Sequence, residues 1–161
     1  MIILGLDPGS RVTGWGLIRQ DGARSVYLAS GAVRLDAKAG LPQRLAALTE
    51  ALEELLRTHR PEVAALEQIF SAKSARSALV LGHARGALLA TLARAALPVA
   101  EYTPAQVKQT VTGSGRADKQ QVQRMVAILL NHRVQMTEDE SDALAVALTH
   151  GAGLRAVAMR G

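Results

Sequence analysis

The 161-residue chain contains no cysteine and only four aromatic side chains, Trp15, Tyr27, Phe70 and Tyr102. The first absence excludes disulfides and thiolate metal sites. Any metal must then be held by carboxylate or imidazole. The second requires an aliphatic core of Leu, Val and Ala. Acid is scarce in one region: from Gln68 to Thr137 nine Lys or Arg accompany only Glu101 and Asp118. With a net charge of +5, this asymmetry points to a polyanionic partner; a solvated basic surface is the plainer alternative. Long apolar runs are also missing. The longest, Ala78 to Ala100, is interrupted by His83, Arg85 and Arg94 and reads as a core helix, not a membrane span. Met1 to Leu6 is too short for a signal-peptide core and lacks a basic start. A cytoplasmic protein with no membrane attachment is expected. No repeat or long linker divides the chain, so one domain is expected over residues 1–150. Residues 151–161 read as a small-residue-rich, loosely ordered tail.

What is present begins with MIILGLDPGSRVTGWGLI. Ile2 to Leu6 form an apolar strand that ends in a carboxylate, Asp7. Pro8-Gly9 predicts a type II turn, and Val12 to Ile18 a second strand. Ser25 to Leu35 reads as a third, reached through Gln20-Asp21-Gly22. Leu41, Leu45, Leu48, Leu52 and Leu55 make a helical stripe that ends before Pro61, with Glu53 and Arg57 spaced to pair on its polar side. Glu62 to Ile69 predicts a buried strand, Ser71 to Ala96 a helix, and Pro98 to Tyr102 a strand. Thr103-Pro104-Ala105-Gln106 is a helix start with a capping box. Asp118 opens a further helix, and Thr137 with Glu140 caps a last one, expected to end near His150. The fold class is α/β: a five-stranded mixed sheet flanked by helices. Three strands form an antiparallel meander, and two arrive through helical crossovers parallel to the first.

Three places put acid where apolar residues are expected. Asp7 ends the first strand. Glu67 lies near the end of the fourth. Asp139 and Asp142 are three apart in the last helix and share a face with Ala143 and Val146. Each acid alone is open to a plainer account as a helix cap or an Arg partner. Four converging carboxylates repel one another unless a hard divalent cation joins them, and oxygen ligands suit Mg²⁺ or Mn²⁺. Two such ions about 4 Å apart drive in-line phosphodiester hydrolysis. Acids without an imidazole or thiolate partner argue against an acyl-transfer triad. His83 reads as a satisfied core histidine. His150 lies eleven residues beyond Asp139, about 16 Å along the helix, too far to share its metal.

A basic surface would bring phosphate to these acids. Lys108 lies in the Pro104–Val111 helix and Lys119 starts the next. The Gly113–Gly115 loop brings both to one end as point charges for phosphate. Lys73, Arg76, Arg85, Arg116 and Arg124 extend the positive track, although each is equally a solvated side chain. Phe70 stands three residues after Glu67. Core burial is the usual fate of a Phe, but this position allows base stacking. Gly14 and Gly16 share one strand face, a flat patch for close approach of DNA backbone or a helix.

These stretches carry a resemblance. GLDPGSRVTGWGLI, ALEQIFSAKSARSALVLGHARG, PVAEYTPAQVKQTVTGSGRADKQQVQRMV and DESDALAVALTH together resemble the RuvC family of bacterial Holliday-junction resolvases. The first alone is shared with other RNase H-like proteins and loosely with actin-like ATPases. The resemblance implies an RNase H-like fold, a homodimer and Mg²⁺-dependent paired nicking of opposed strands at four-way junction DNA. It further implies work alongside the RuvA–RuvB branch-migration complex. On it, Asp7, Glu67, Asp139 and Asp142 are the catalytic, metal-binding set. Lys108 and Lys119 are substrate-binding lysines, and Phe70 is the aromatic near the junction core. Another RNase H-like nuclease acting on RNA or an RNA/DNA hybrid remains an alternative, as does a junction-binding module without catalysis. An actin-like ATPase would need two such subdomains.

Overall fold

The computed structural model describes residues 1–68, 74–131 and 136–158; of the side chains at 155–158 nothing is described. The elements run β1 (Ile2–Asp7), β2 (Val12–Asp21), β3 (Arg24–Arg34), α1 (Leu41–His59), β4 (Val63–Glu67), α2 (Ala75–Arg94), β5 (Val99–Tyr102), α3 (Pro104–Thr112), α4 (Lys119–Leu129) and α5 (Glu138–Ala158). The sheet order is β3-β2-β1-β4-β5. The β1–β2 and β2–β3 pairs are antiparallel, and β1–β4 and β4–β5 are parallel. This is the expected mixed sheet. β1 lies at its centre and is covered on both faces, which is why its sequence is apolar throughout and does not alternate.

Alternation along the strands assigns the two faces. Leu4, Leu6, Leu17, Ala64 and Leu66 pack with Leu48 and Leu52 of α1 and Ala84, Leu88 and Leu92 of α2. Ile3, Ile18, Val63 and Ala65 pack on the opposite face with α3, α4 and α5. By the same parity Asp7 and Glu67 belong to the α5 face.

Local chemistry sets the helix ends. Both expected capping boxes form: Thr103 with Gln106 in α3, and Thr137 with Glu140 ahead of α5. A third joins Asp118 and Gln121 at the start of α4.

Three local expectations are corrected. Gly9 is not in the left-handed region; among the described residues the positive-φ glycines are Gly22 and Gly113. The β1–β2 connection is therefore not a type II turn. Glycine is needed there because a β-carbon would stand 2.0 Å from the Val12 carbonyl oxygen. Arg57 pairs with Glu54 at 2.6 Å, not with Glu53. Finally, α5 does not end near His150 but continues to Ala158. Two glycines weaken helix propensity there, yet Gly151 is buried where a β-carbon would meet Gln20 Oε1 at 2.4 Å, and Leu154 packs on the core. Tertiary packing outweighs propensity over the described part of the expected tail.

Candidate active site

Register places the first two acids. Leu6 of β1 pairs with Leu66 of β4 in parallel register, so Asp7 and Glu67 follow side by side at the carboxyl ends of adjacent strands. On its other side Asp7 pairs with Gly14 of β2. Glycines then bring in the helix. A β-carbon on Gly5 would stand 2.0 Å from the Ala143 carbonyl oxygen, one on Gly14 2.1 Å from that of Asp139, and one on Gly16 2.6 Å from Leu144 Cγ. Gly5 and Gly16 pair directly across β1 and β2. Gly5, Gly14 and Gly16 therefore form a floor on which the amino-terminal half of α5 rests, against helix backbone at Gly5 and Gly14 and against the Leu144 side chain at Gly16. The segment Ala143–Ala147 is wholly buried against it. The flat patch expected at Gly14 and Gly16 receives a helix, not DNA. Asp139 and Asp142, three residues apart near the start of that helix, reach the end of β1.

The other three carboxylates act on Asp7. The Asp7 pKa is raised from 3.8 to about 7, first by burial and then by Asp142, Glu67 and Asp139, against the nearby Lys119. Glu67 is raised by burial and then by Asp142, with Lys108 and Lys119 opposing. Asp142 is raised chiefly by burial, which Lys119 offsets. Among the described residues no three carboxylate or imidazole side chains stand in metal-ligating geometry as they lie. The donor set nevertheless fits a hard cation: oxygen-only ligands, half-buried, held at one end of the sheet and destabilised by their own repulsion. Among the described residues no histidine acts on these acids. His150 Nδ1 bonds the Tyr102 hydroxyl at 2.8 Å. The Nδ1 of His83 is buried without a hydrogen-bond partner among the described residues, unlike the satisfied core histidine expected.

The family profile of crossover junction endodeoxyribonuclease RuvC matches residues 3–150. The chain belongs to the RuvC family. Crossover junction endodeoxyribonuclease RuvC of Halorhodospira halophila is 53% identical over 148 residues, 92% of this chain and 88% of its own length. That of Citrifermentans bemidjiense is 49% identical over 159 residues, 98% and 97% of the two chains. The structure of Thermus thermophilus RuvC in complex with Holliday junction substrate superposes with a TM-score of 0.92 at 33% identity, covering 98% of this chain and 96% of that one. The RNase H-like fold is thereby shared, and the match favours the crossover junction endodeoxyribonucleases over a ribonuclease or a silent module. Among the described residues no helix is long and apolar enough to cross a membrane.

The basic residues expected on a RuvC surface fall into different settings. Lys108 of α3 and Lys119 of α4 both lie close enough to stabilise the Glu67 carboxylate. Lys119 forms an ion pair with Glu138 and lies 3.7 Å from Asp142 Oδ2. Arg76, in the first turn of α2, and Arg116 are exposed, and Arg116 with Arg124 lines an open depression of about 530 Å³ beside α4. Phe70 and Lys73 lie outside the described residues. Arg85 is not part of a free positive track: it bonds the Glu67 carbonyl and the Glu101 carboxylate. Two further residues, Glu138 and Gly5, shape the site without having been expected to. The signal for Gly5 was its place on the Asp7 face of β1. Glu138 carried none, because its partner belongs to another helix.

Proposed function

We propose that this chain resolves four-way DNA junctions by paired, symmetric nicking of opposed strands during recombination and repair. Asp7, Glu67, Asp139 and Asp142 form the catalytic, metal-binding set. The observation that carries this reading is Asp7 itself, a carboxylate at the end of the central strand with three further acids raising its proton affinity. Two Mg²⁺ ions held by these four side chains, with Mn²⁺ able to substitute, would supply an activated water and charge stabilisation for the leaving 3′ oxygen.

The chain's own groups do the rest. The glycine floor fixes α5, and so fixes Asp139 and Asp142 relative to Asp7 and Glu67. Lys108 and Lys119 meet the phosphates flanking the scissile bond. Phe70, Lys73, Arg76 and Arg116 extend the DNA surface. The reaction is hydrolysis: a water oxygen bonds to phosphorus as the P–O3′ bond breaks, leaving a 5′ phosphate and a 3′ hydroxyl.

The working unit is a cytoplasmic homodimer acting with a RuvA–RuvB complex. Supporting the dimer, α2 presents Leu79 at 62% exposure, and β-carbons added at Gly82 or Gly86 would meet nothing. Such a face suits a second copy of the chain. Cleavage of a synthetic four-way junction with Mg²⁺, mapped on every strand, tests the reading. Symmetric cuts on opposed strands with an intact linear duplex are expected. Equal cutting of linear duplex or of an RNA/DNA hybrid would overturn it.

A further inference from the structure

Arg85 is expected from sequence to be one more phosphate contact, and the structure gives it other work. It projects from α2 between two residues packed in the core, Ala84 and Leu88, and its side chain is only 15% exposed. Nη1 donates to the main-chain carbonyl of Glu67 at 2.7 Å. Nη2 donates to Glu101 Oε1 at 2.5 Å. Glu67 is the last residue of β4, and Glu101 belongs to β5, in register with Leu66. Parity places Glu101 on the α2 side of the sheet, while Glu67 and its partner Tyr102 face α5. The guanidinium thus reaches around the ends of two short strands from the face opposite the acids. One more bond, Gln68 N–H to the Tyr102 carbonyl at 2.7 Å, closes the β4–β5 ladder at that point.

We infer that Arg85 is a positioning residue for the acid cluster: its fork ties the carbonyl of Glu67 to β5 through Glu101 and so fixes where the Glu67 carboxylate points. The inference rests on Glu67 belonging to the metal-binding set. The physical need is plain. β4 has five residues and β5 has four, and β5 is an edge strand. The chain leaves β4 immediately after Glu67, and the β1–β4 register ends at Leu66, so strand pairing holds Glu67 from the β5 side alone. A planar guanidinium can bond a carbonyl and a carboxylate at once in a fixed geometry. A lysine ammonium at the same place is a point charge without that fork. Glu101 neutralises Arg85, so its charge is spent inside the fold rather than offered to DNA.

The test compares Arg85→Lys and Glu101→Gln with wild type and with Glu67→Gln, using the full-length chain. Junction affinity is measured as a function of salt, single-turnover cleavage at saturating protein, Mn²⁺ binding to the free protein by calorimetry, and the melting temperature. In R85K, single-turnover cleavage should fall roughly ten- to a hundredfold, the range a misplaced reacting group produces. Mn²⁺ binding should weaken, while junction affinity and its salt slope stay at wild-type values. E101Q should show the same pattern more mildly, and it decides the question should R85K not fold. A salt slope about one unit lower with an unchanged cleavage rate would make Arg85 a phosphate contact and overturn the inference. Unchanged behaviour of both variants would overturn it as well. Full cutting by E67Q would instead remove the site reading on which the inference rests, a result separable from either.

Discussion

A β-carbon on Gly14 would stand 2.1 Å from the carbonyl oxygen of Asp139. Gly14 is also the strand partner of Asp7. One missing side chain therefore lets the helix carrying two of the acids descend to the strand carrying the first. Gly14→Ala should lift the start of α5. We expect destabilisation of about 1–3 kcal/mol, as for other overpacked contacts, and a loss of cleavage near a hundredfold, because Asp139 and Asp142 move relative to Asp7. Urea unfolding and single-turnover cleavage read the two effects. Wild-type cleavage by a folded G14A protein would separate the glycine floor from the site.

The proton on Asp7 gives stability a defined pH dependence. Its pKa in the fold is about 7, against an ordinary value of 3.8. Between those values the folded protein holds a proton that the unfolded chain has released. Stability is therefore full below the unfolded value and declines as pH rises toward 7, by on the order of 2–4 kcal/mol. Asp7→Asn removes the charge and should flatten this slope in the metal-free protein. Melting temperatures from pH 4 to 8, with chelator present, would show it. Parallel slopes for the two proteins would contradict the assignment.

Glu138 forms an ion pair with Lys119. The pair is largely exposed, 67% for Lys119 and 60% for Glu138, so its strength is at most about 1 kcal/mol. Glu138→Gln should release the lysine to phosphate. Junction affinity at low salt is expected to rise by up to about fivefold, with a steeper salt dependence. The double variant with Lys119→Ala should lose that gain; a gain that persisted would trace to bulk charge instead.

The acids were legible because each violates its surroundings: Asp7 and Glu67 end apolar strands, and Asp139 and Asp142 share a helix face with buried alanine and valine. Strand parity then follows from local sequence, so the face carrying Asp7 and Glu67 could be read as well. Contacts set by packing between distant elements were not legible. Arg85 looks like any helix cation until α2 is laid against the sheet and its fork meets Glu67 and Glu101. Glu138 meets Lys119 only because α4 and α5 lie side by side. Gly9 misled for a local reason: Pro-Gly suggests a left-handed glycine, whereas here the glycine admits a close approach by the Val12 carbonyl. The helix past His150 was missed because Gly151 and Gly153 lower propensity, while the burial of Gly151 against Gln20 of β2 is invisible in one dimension.

The central claim is that Asp7 and its three companions perform the cleavage while the basic surface holds the DNA. Single-turnover cleavage of a synthetic four-way junction in Mg²⁺, with binding measured on the same samples, compares wild type and Asp7→Asn most directly. The variant should bind the junction at least as tightly as wild type, having lost a negative charge, and should produce no cuts at any Mg²⁺ concentration. Cutting by the variant at the wild-type rate would contradict the account.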